Sequence, residues 1–260
     1  MFERLKGVLL QEYFISVRSL EVWFDMVFFP LVTTVVFGFV AKYLSGENLL
    51  AASYLLLGLL LWHVLQVSQY SMSMGVLWNV WSRNLSNMFI TPLSIKEYII
   101  AETISSLIKS LGMSLVLSFT VYVVFGFDVL QIGLLNYLLY FINLSLFAWA
   151  VGIVLVGVIF KYGTRIQALA WSIIFLFQPL TAAFFPVSVL PSGIRELAFA
   201  FPPTYIFEAA RGNILDASLN LQYVGIAFIL NIVYFVFALA VFHWMFKKSK
   251  ETGQFARNEG

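Results

Sequence analysis

Cut at every Asp, Glu, Lys and Arg, the chain separates into short charged stretches and six long uncharged windows. They lie between Asp25 and Lys42, Glu47 and Arg83, Lys109 and Asp128, Asp128 and Lys161, Arg165 and Arg195, and Asp216 and Lys247. A membrane-spanning helix needs about 20 apolar residues, or about 17 at the short end. Five windows reach that length, and the first does so once Val22, Trp23 and Phe24 are added and Asp25 sits near the boundary. The pattern predicts spans over 22–41, 49–78, 99–127, 129–160, 166–185 and 221–246. Residues 1–21 read differently. At 100° per residue Phe2, Leu5, Leu9, Tyr13 and Leu20 share a face, while Arg4, Gln11 and Arg18 lie opposite, which predicts an amphipathic helix in the membrane interface. No linker or change of composition divides the chain. The expected fold is a single all-α polytopic domain, 1–260, with six transmembrane helices.

Composition agrees: 61% of residues are hydrophobic and 11% charged, against roughly 25% charged in soluble domains. Charge placement sets an orientation. With both termini inside, the cytoplasmic segments hold Arg4, Lys6, Arg18, Arg83, Lys96, Lys161, Arg165, Lys247, Lys248, Lys250 and Arg257. The outer side holds Lys42, Arg195 and Arg211, and Lys109 lies within a span. This excess predicts an N-in, C-in topology.

Five of the seven prolines, Pro179, Pro186, Pro191, Pro202 and Pro203, crowd into one otherwise apolar stretch that also holds Phe184 and Phe185. Proline lacks an N–H and disfavours helix at the residue before it, so the stretch cannot be one straight span. Broken backbone at membrane depth persists only against protein or a water-filled cavity. The segment 186–212 is therefore expected outside the last span as part of a pathway or gate. Glu208 and Arg211 are spaced to pair on a short external helix there, with a contribution of roughly 0.2 to 0.5 kcal/mol.

Polar residues recur within the spans. His63, Gln66 and Tyr70 follow helical spacing on the second, and Glu102 and Lys109 share a face of the third, about 10 Å apart along the axis. Such groups face a bundle interior, either bonding to neighbouring helices or lining a pathway; for Lys109 a third option is reaching toward the interface. Between the second and third spans lies the longest internal connection on the cytoplasmic side, 83–97. Ser94 and Glu97 match a capping box, and Thr91-Pro92 offers an alternative helix start. Ahead of it Leu85, Met88 and Phe89 are apolar residues in a loop expected to face the cytosol, a pattern typical of a docking surface.

Several chemistries are missing from the sequence. There is no Cys, no Gly followed by Lys-Ser or Lys-Thr, no G-x-S-x-G and no H-E-x-x-H, and the two histidines, His63 and His243, are far apart. No catalytic site and no metal site are expected. Work against a gradient would draw on ions or on a partner chain.

The chain resembles the permeases of type-2 ABC transporters, which are mainly exporters. The resemblance spans nearly the whole chain. It rests on the N-terminal helix, the loop from Arg83-Asn84-Leu85 to Thr91-Pro92-Leu93-Ser94, and the Lys161–Arg165 turn leading into Gln167-Ala168-Leu169-Ala170-Trp171. It also rests on Phe185-Pro186-Val187-Ser188-Val189-Leu190-Pro191 with Phe201-Pro202-Pro203-Thr204-Tyr205. The resemblance implies a six-helix subunit of a prokaryotic cytoplasmic membrane that dimerises, with a homodimer expected, and binds a separate ATPase subunit carrying ATP and Mg. It implies no cofactor in this chain and no nucleic-acid partner. It places coupling to the ATPase on Arg83, Leu85, Met88, Phe89, Thr91 and Pro92. It makes the proline-rich segment a set of re-entrant helices forming an external gate at Pro179, Phe185, Pro186, Pro191, Pro202 and Pro203. His63, Gln66, Glu102 and Lys109 are candidates for pathway lining. The expected cargo is an amphiphile, either drug-like or lipid. Alternatives are a polysaccharide or lipid-linked glycan, an ion-coupled carrier or channel without an ATPase, and a membrane-embedded enzyme, which lacks the necessary constellation.

Overall fold

The computed structural model describes residues 2–46 and 48–253. Met1, Glu47 and the segment 254–260, with Arg257 of the charge count, lie outside the described residues, as does the side chain of Ser86. No strand occurs among the described residues, and the chain is all-helical. The helices are α1 (Phe2–Arg18), α2 (Leu20–Trp23), α3 (Phe29–Ser45), α4 (Leu49–Trp81), α5 (Leu85–Ile90), α6 (Ile95–Phe125), α7 (Leu134–Tyr162), α8 (Gln167–Leu180), α9 (Ser192–Ala198), α10 (Pro202–Leu215) and α11 (Leu221–Glu251).

Five helical runs among the described residues are long and apolar enough to cross a bilayer: Leu20–Ser45, Leu49–Trp81, Ile95–Phe125, Leu134–Leu180 and Leu221–Glu251. The first is one helix whose π-turn, Phe24–Phe28, joins α2 to α3 and aims Asp25 inward. The fourth contains two predicted spans, α7 and α8, joined by a 3-10 turn at Gly163–Ile166. α8 has only 14 residues, about 21 Å of rise, and stops at Leu180 instead of reaching 185. Pro179 and the left-handed backbone at Ala182 (φ 51°) end it. Ser94 rather than Thr91-Pro92 starts α6: its hydroxyl accepts from the Glu97 N–H, and the Glu97 carboxylate accepts from the Ser94 N–H at 2.9 Å.

α4 is the axis of the bundle. Its 33 residues are hydrophobic nearly all round and buried on most sides by α3, α6, α7 and α8. α11 packs on α7 at the periphery and exposes Ile229, Val233, Val236 and Phe237, and α6 exposes Ile108, Leu115, Phe119 and Val123. These outward stripes suit contact with lipid.

α1 corrects the helical-wheel expectation. Its protein-facing stripe is Arg4, Val8, Gln11 and Glu12, while Phe2, Tyr13 and Leu20 beyond its end are exposed. Of the predicted apolar face Leu5 and Leu9 pack beside Val8 on the core while Phe2 and Tyr13 stay outward, so the helix gives the protein both polar and apolar residues.

Candidate functional site

The connection between α4 and α6 folds as a compact anchored unit. Arg83 takes a left-handed conformation (φ 54°), which turns the chain at the end of α4, and the Asn84 N–H closes the turn on the Asn79 carbonyl at 3.0 Å. α5 follows. Leu85 and Met88 are 4% and 8% exposed and pack into a core with Tyr98, Phe160 and Phe246, so the expectation that they stand exposed is not met. Sequence spacing alone could not show which side of so short a helix the bundle would cover. Phe89 is half-buried, edge-on to Tyr98. The outward surface is made instead by Arg83, Asn87, Ile90, Thr91 and Pro92, with Ile90 83% exposed. Ile90 carries no sequence signal of its own, since Met88 and Phe89 beside it are as apolar and only the packing of α5 leaves it outside.

α1 is fastened beside this unit. Arg4 donates to the Pro92 carbonyl and pairs with Glu97 at 2.9 Å, tying the helix to the loop and to the first turn of α6. Further along, Lys109 pairs with Glu12 at 2.8 Å, with both side chains largely buried. Gln11 donates to Asn79, and Asn79 donates to the Tyr98 hydroxyl at 3.1 Å. Glu102, 1% exposed, lies beside Glu12 and Tyr98, and a Cβ at Gly75 would meet both carboxylates. Glu12 escaped the sequence reading because its partner is 97 positions away; the available signal was an acidic residue four after Val8 on one face.

Several in-span polar groups are engaged between helices. The Ser106 hydroxyl donates to the Ser68 carbonyl at 2.8 Å and accepts from Trp149 Nε1 at 3.0 Å; Gln69 donates to the Ala170 carbonyl at 3.0 Å; Tyr70 donates to Asp25 at 2.5 Å. His63 and Gln66 come together, with Nδ1 at 3.0 Å from Oε1 on the same helix. They sit far along α4 from Glu102 and Lys109, so the four pathway candidates form two separate groups.

At the opposite end of the bundle the proline-rich stretch breaks into short pieces. Pro186 and Pro191 precede a 3-10 turn and α9, and Pro202 and Pro203 start α10, where a missing N–H costs nothing. Phe185 packs with Ala182, Val187 and Ala198. The Glu208–Arg211 pair forms at 2.5 Å, but it is no exposed surface pair: Arg211 is 4% exposed and also donates to the Ala183 carbonyl at 3.4 Å, and Glu208 accepts from the Val187 N–H at 2.8 Å. Burial pushes the Arg211 guanidinium down from its ordinary value, and the adjacent Glu208 carboxylate offsets part of that. The pair staples α10 to the broken turn. That turn presses on α4, where a Cβ at Gly58 would stand 2.2 Å from the Ala183 carbonyl oxygen.

A bundle with a long central helix, an anchored connecting helix at one end and a proline-broken cap at the other, with five helical runs able to cross a bilayer, defines a polytopic helical membrane protein. The family model of ABC-2 type transporters matches residues 5–215, from α1 to the end of α10, and the chain belongs to that family. No curated protein matches the chain. Members of this family are membrane transport subunits and are not themselves catalytic.

Proposed function

We propose that the chain is the permease of an ATP-driven exporter. Two copies, each with six spans and both termini in the cytoplasm, would carry an amphiphilic substrate across the cytoplasmic membrane, powered by a separate ATPase subunit. In this reading α8 is the fifth of the six spans, extended toward the outer boundary by the broken segment after it. α1 lies where the bilayer meets the cytosol, with its outward apolar residues in lipid.

The observation that carries the reading is the connection between α4 and α6. Leu85 and Met88 root α5 in the core, which leaves Arg83, Ile90, Thr91 and Pro92 as a rigid outward patch at the end of the bundle that holds both termini. A partner pressing there moves α4, α6 and, through Arg4, α1 together. Differential binding of cargo to the two resulting arrangements is what transport requires.

The test is capture of an ATPase from the native host membrane with the tagged permease. Wild type is expected to retain an ABC ATPase, and Ile90→Asp, which alters only an exposed residue, is expected to lose it at least tenfold while eluting as a folded protein. Retention of the ATPase by Ile90→Asp would remove the patch from the coupling interface.

A further inference from the structure

A groove of about 610 Å³ runs between the start of α6 and the end of α11, floored by Ile153 of α7. Its walls are apolar, with Ile99, Thr103 and Ile104 on one side and Phe235 and Leu239 on the other. From Lys96 to Ile104 it extends about 12 Å along α6, close to the roughly 15 Å depth of one leaflet's hydrocarbon. The mouth is polar and positive. Lys96 and His243 stand there exposed, and Lys247 follows one turn after His243. Lys96 has no ion-pair partner among the described residues, and the neighbouring carboxylate, Glu97, is engaged by Arg4 and Ser94 on the far side of the helix.

We propose that this groove binds an anionic phospholipid from the leaflet at the terminal end of the bundle, as a resident ligand and not as cargo. An acyl chain fills the apolar trough, and the headgroup phosphate meets the Lys96 ammonium and a His243 ring nitrogen. Basic residues at the membrane surface favour anionic over neutral lipid, which for a single lysine corresponds to about fivefold. A zwitterionic headgroup would bring its own ammonium against Lys96 and lose that gain. The depth, the sideways opening at Ile100 and Leu239, and the charge at one end only all suit a single lipid better than a protein side chain.

The experiment needs neither the ATPase nor the cargo, so its outcome is independent of the exporter reading. The full chain is reconstituted in nanodiscs of mixed phosphatidylcholine and phosphatidylglycerol, extracted in mild detergent, and its retained lipids are counted by native mass spectrometry. Wild type is expected to retain phosphatidylglycerol about fivefold over phosphatidylcholine. Lys96→Glu is expected to abolish that preference, and Thr103→Trp, which fills the trough, to lose both lipids. A second measurement covers any variant that fails to fold. In the cysteine-free chain, a nitroxide on Leu239→Cys should be broadened more by spin-labelled phosphatidylglycerol than by the phosphatidylcholine analogue. Equal retention in wild type, an unchanged preference in Lys96→Glu, or efficient disulfide dimerisation of Leu239→Cys, which would mean that a second copy occupies the face, each overturns the proposal.

Discussion

At the scale of single residues, the most demanding position is Gly58. Any side chain there meets the Ala183 carbonyl oxygen, a backbone atom that cannot swing away, within 2.2 Å. Gly58→Ala is expected to cost about 1 to 3 kcal/mol through overpacking and to lower the melting temperature of the detergent-solubilised chain. An unchanged melting curve would show that α4 and the broken turn are not pressed together. The Glu12–Lys109 pair makes a second demand. Removing Glu12 alone takes the hydrogen-bonded partner from a mostly buried ammonium and leaves the nearby Glu102 carboxylate as its remaining counter-charge, so Glu12→Ala is expected to destabilise by about 1.5 to 3 kcal/mol. Replacing both, Glu12→Ala with Lys109→Met, should recover most of that loss, and a double-mutant cycle by thermal melting reads the difference. If the two single losses simply add, the pair contributes nothing as a pair. Sequence spacing could list Glu102 and Lys109 as polar groups needing partners, but it could not pair Lys109 with Glu12, because the contact depends on how α1 packs on α6.

At the scale of elements, α5 separates residues that hold from residues that present. Met88, 8% exposed among Leu85, Tyr98 and Phe160, anchors the helix, so Met88→Asp is expected to unfold the connection and lower yield, whereas Ile90→Asp leaves the fold intact. Limited proteolysis between α4 and α6 distinguishes the two: faster cleavage for Met88→Asp alone. Equal resistance would mean that α5 is held by other contacts. The elements themselves were largely legible. Long uncharged runs marked α3, α4, α6, α7 and α11, the capping box fixed the start of α6, and prolines marked the break after α8. What escaped was facing. Over six residues of α5 or along the mixed surface of α1, several sides are apolar enough to bury, and only the neighbouring helices decide between them. The length of α8 escaped for a related reason: an uncharged run gives an upper limit, while Pro179 and the turn at Ala182 set the stop.

At the scale of the whole molecule, the orientation is open to a direct check because the chain contains no cysteine. Ala217→Cys lies exposed after α10, and Asn87→Cys lies exposed on α5 at the other end. With both termini inside, an impermeant maleimide added to intact cells should label the first and spare the second until the cells are lysed. The reverse pattern would invert the exporter reading. Between these two ends runs α4, about 50 Å long and free of proline, with the α5 connection at its end and Gly58 against the cap near its start. Hydrogen bonds from Ser106 to its Ser68 carbonyl and from its Gln69 to α8 hold it near mid-length. Packed along its whole length, such a rod has no slack between its ends: a shift imposed beside Arg83 would reach the Ala183 turn as a shift of Gly58 against it.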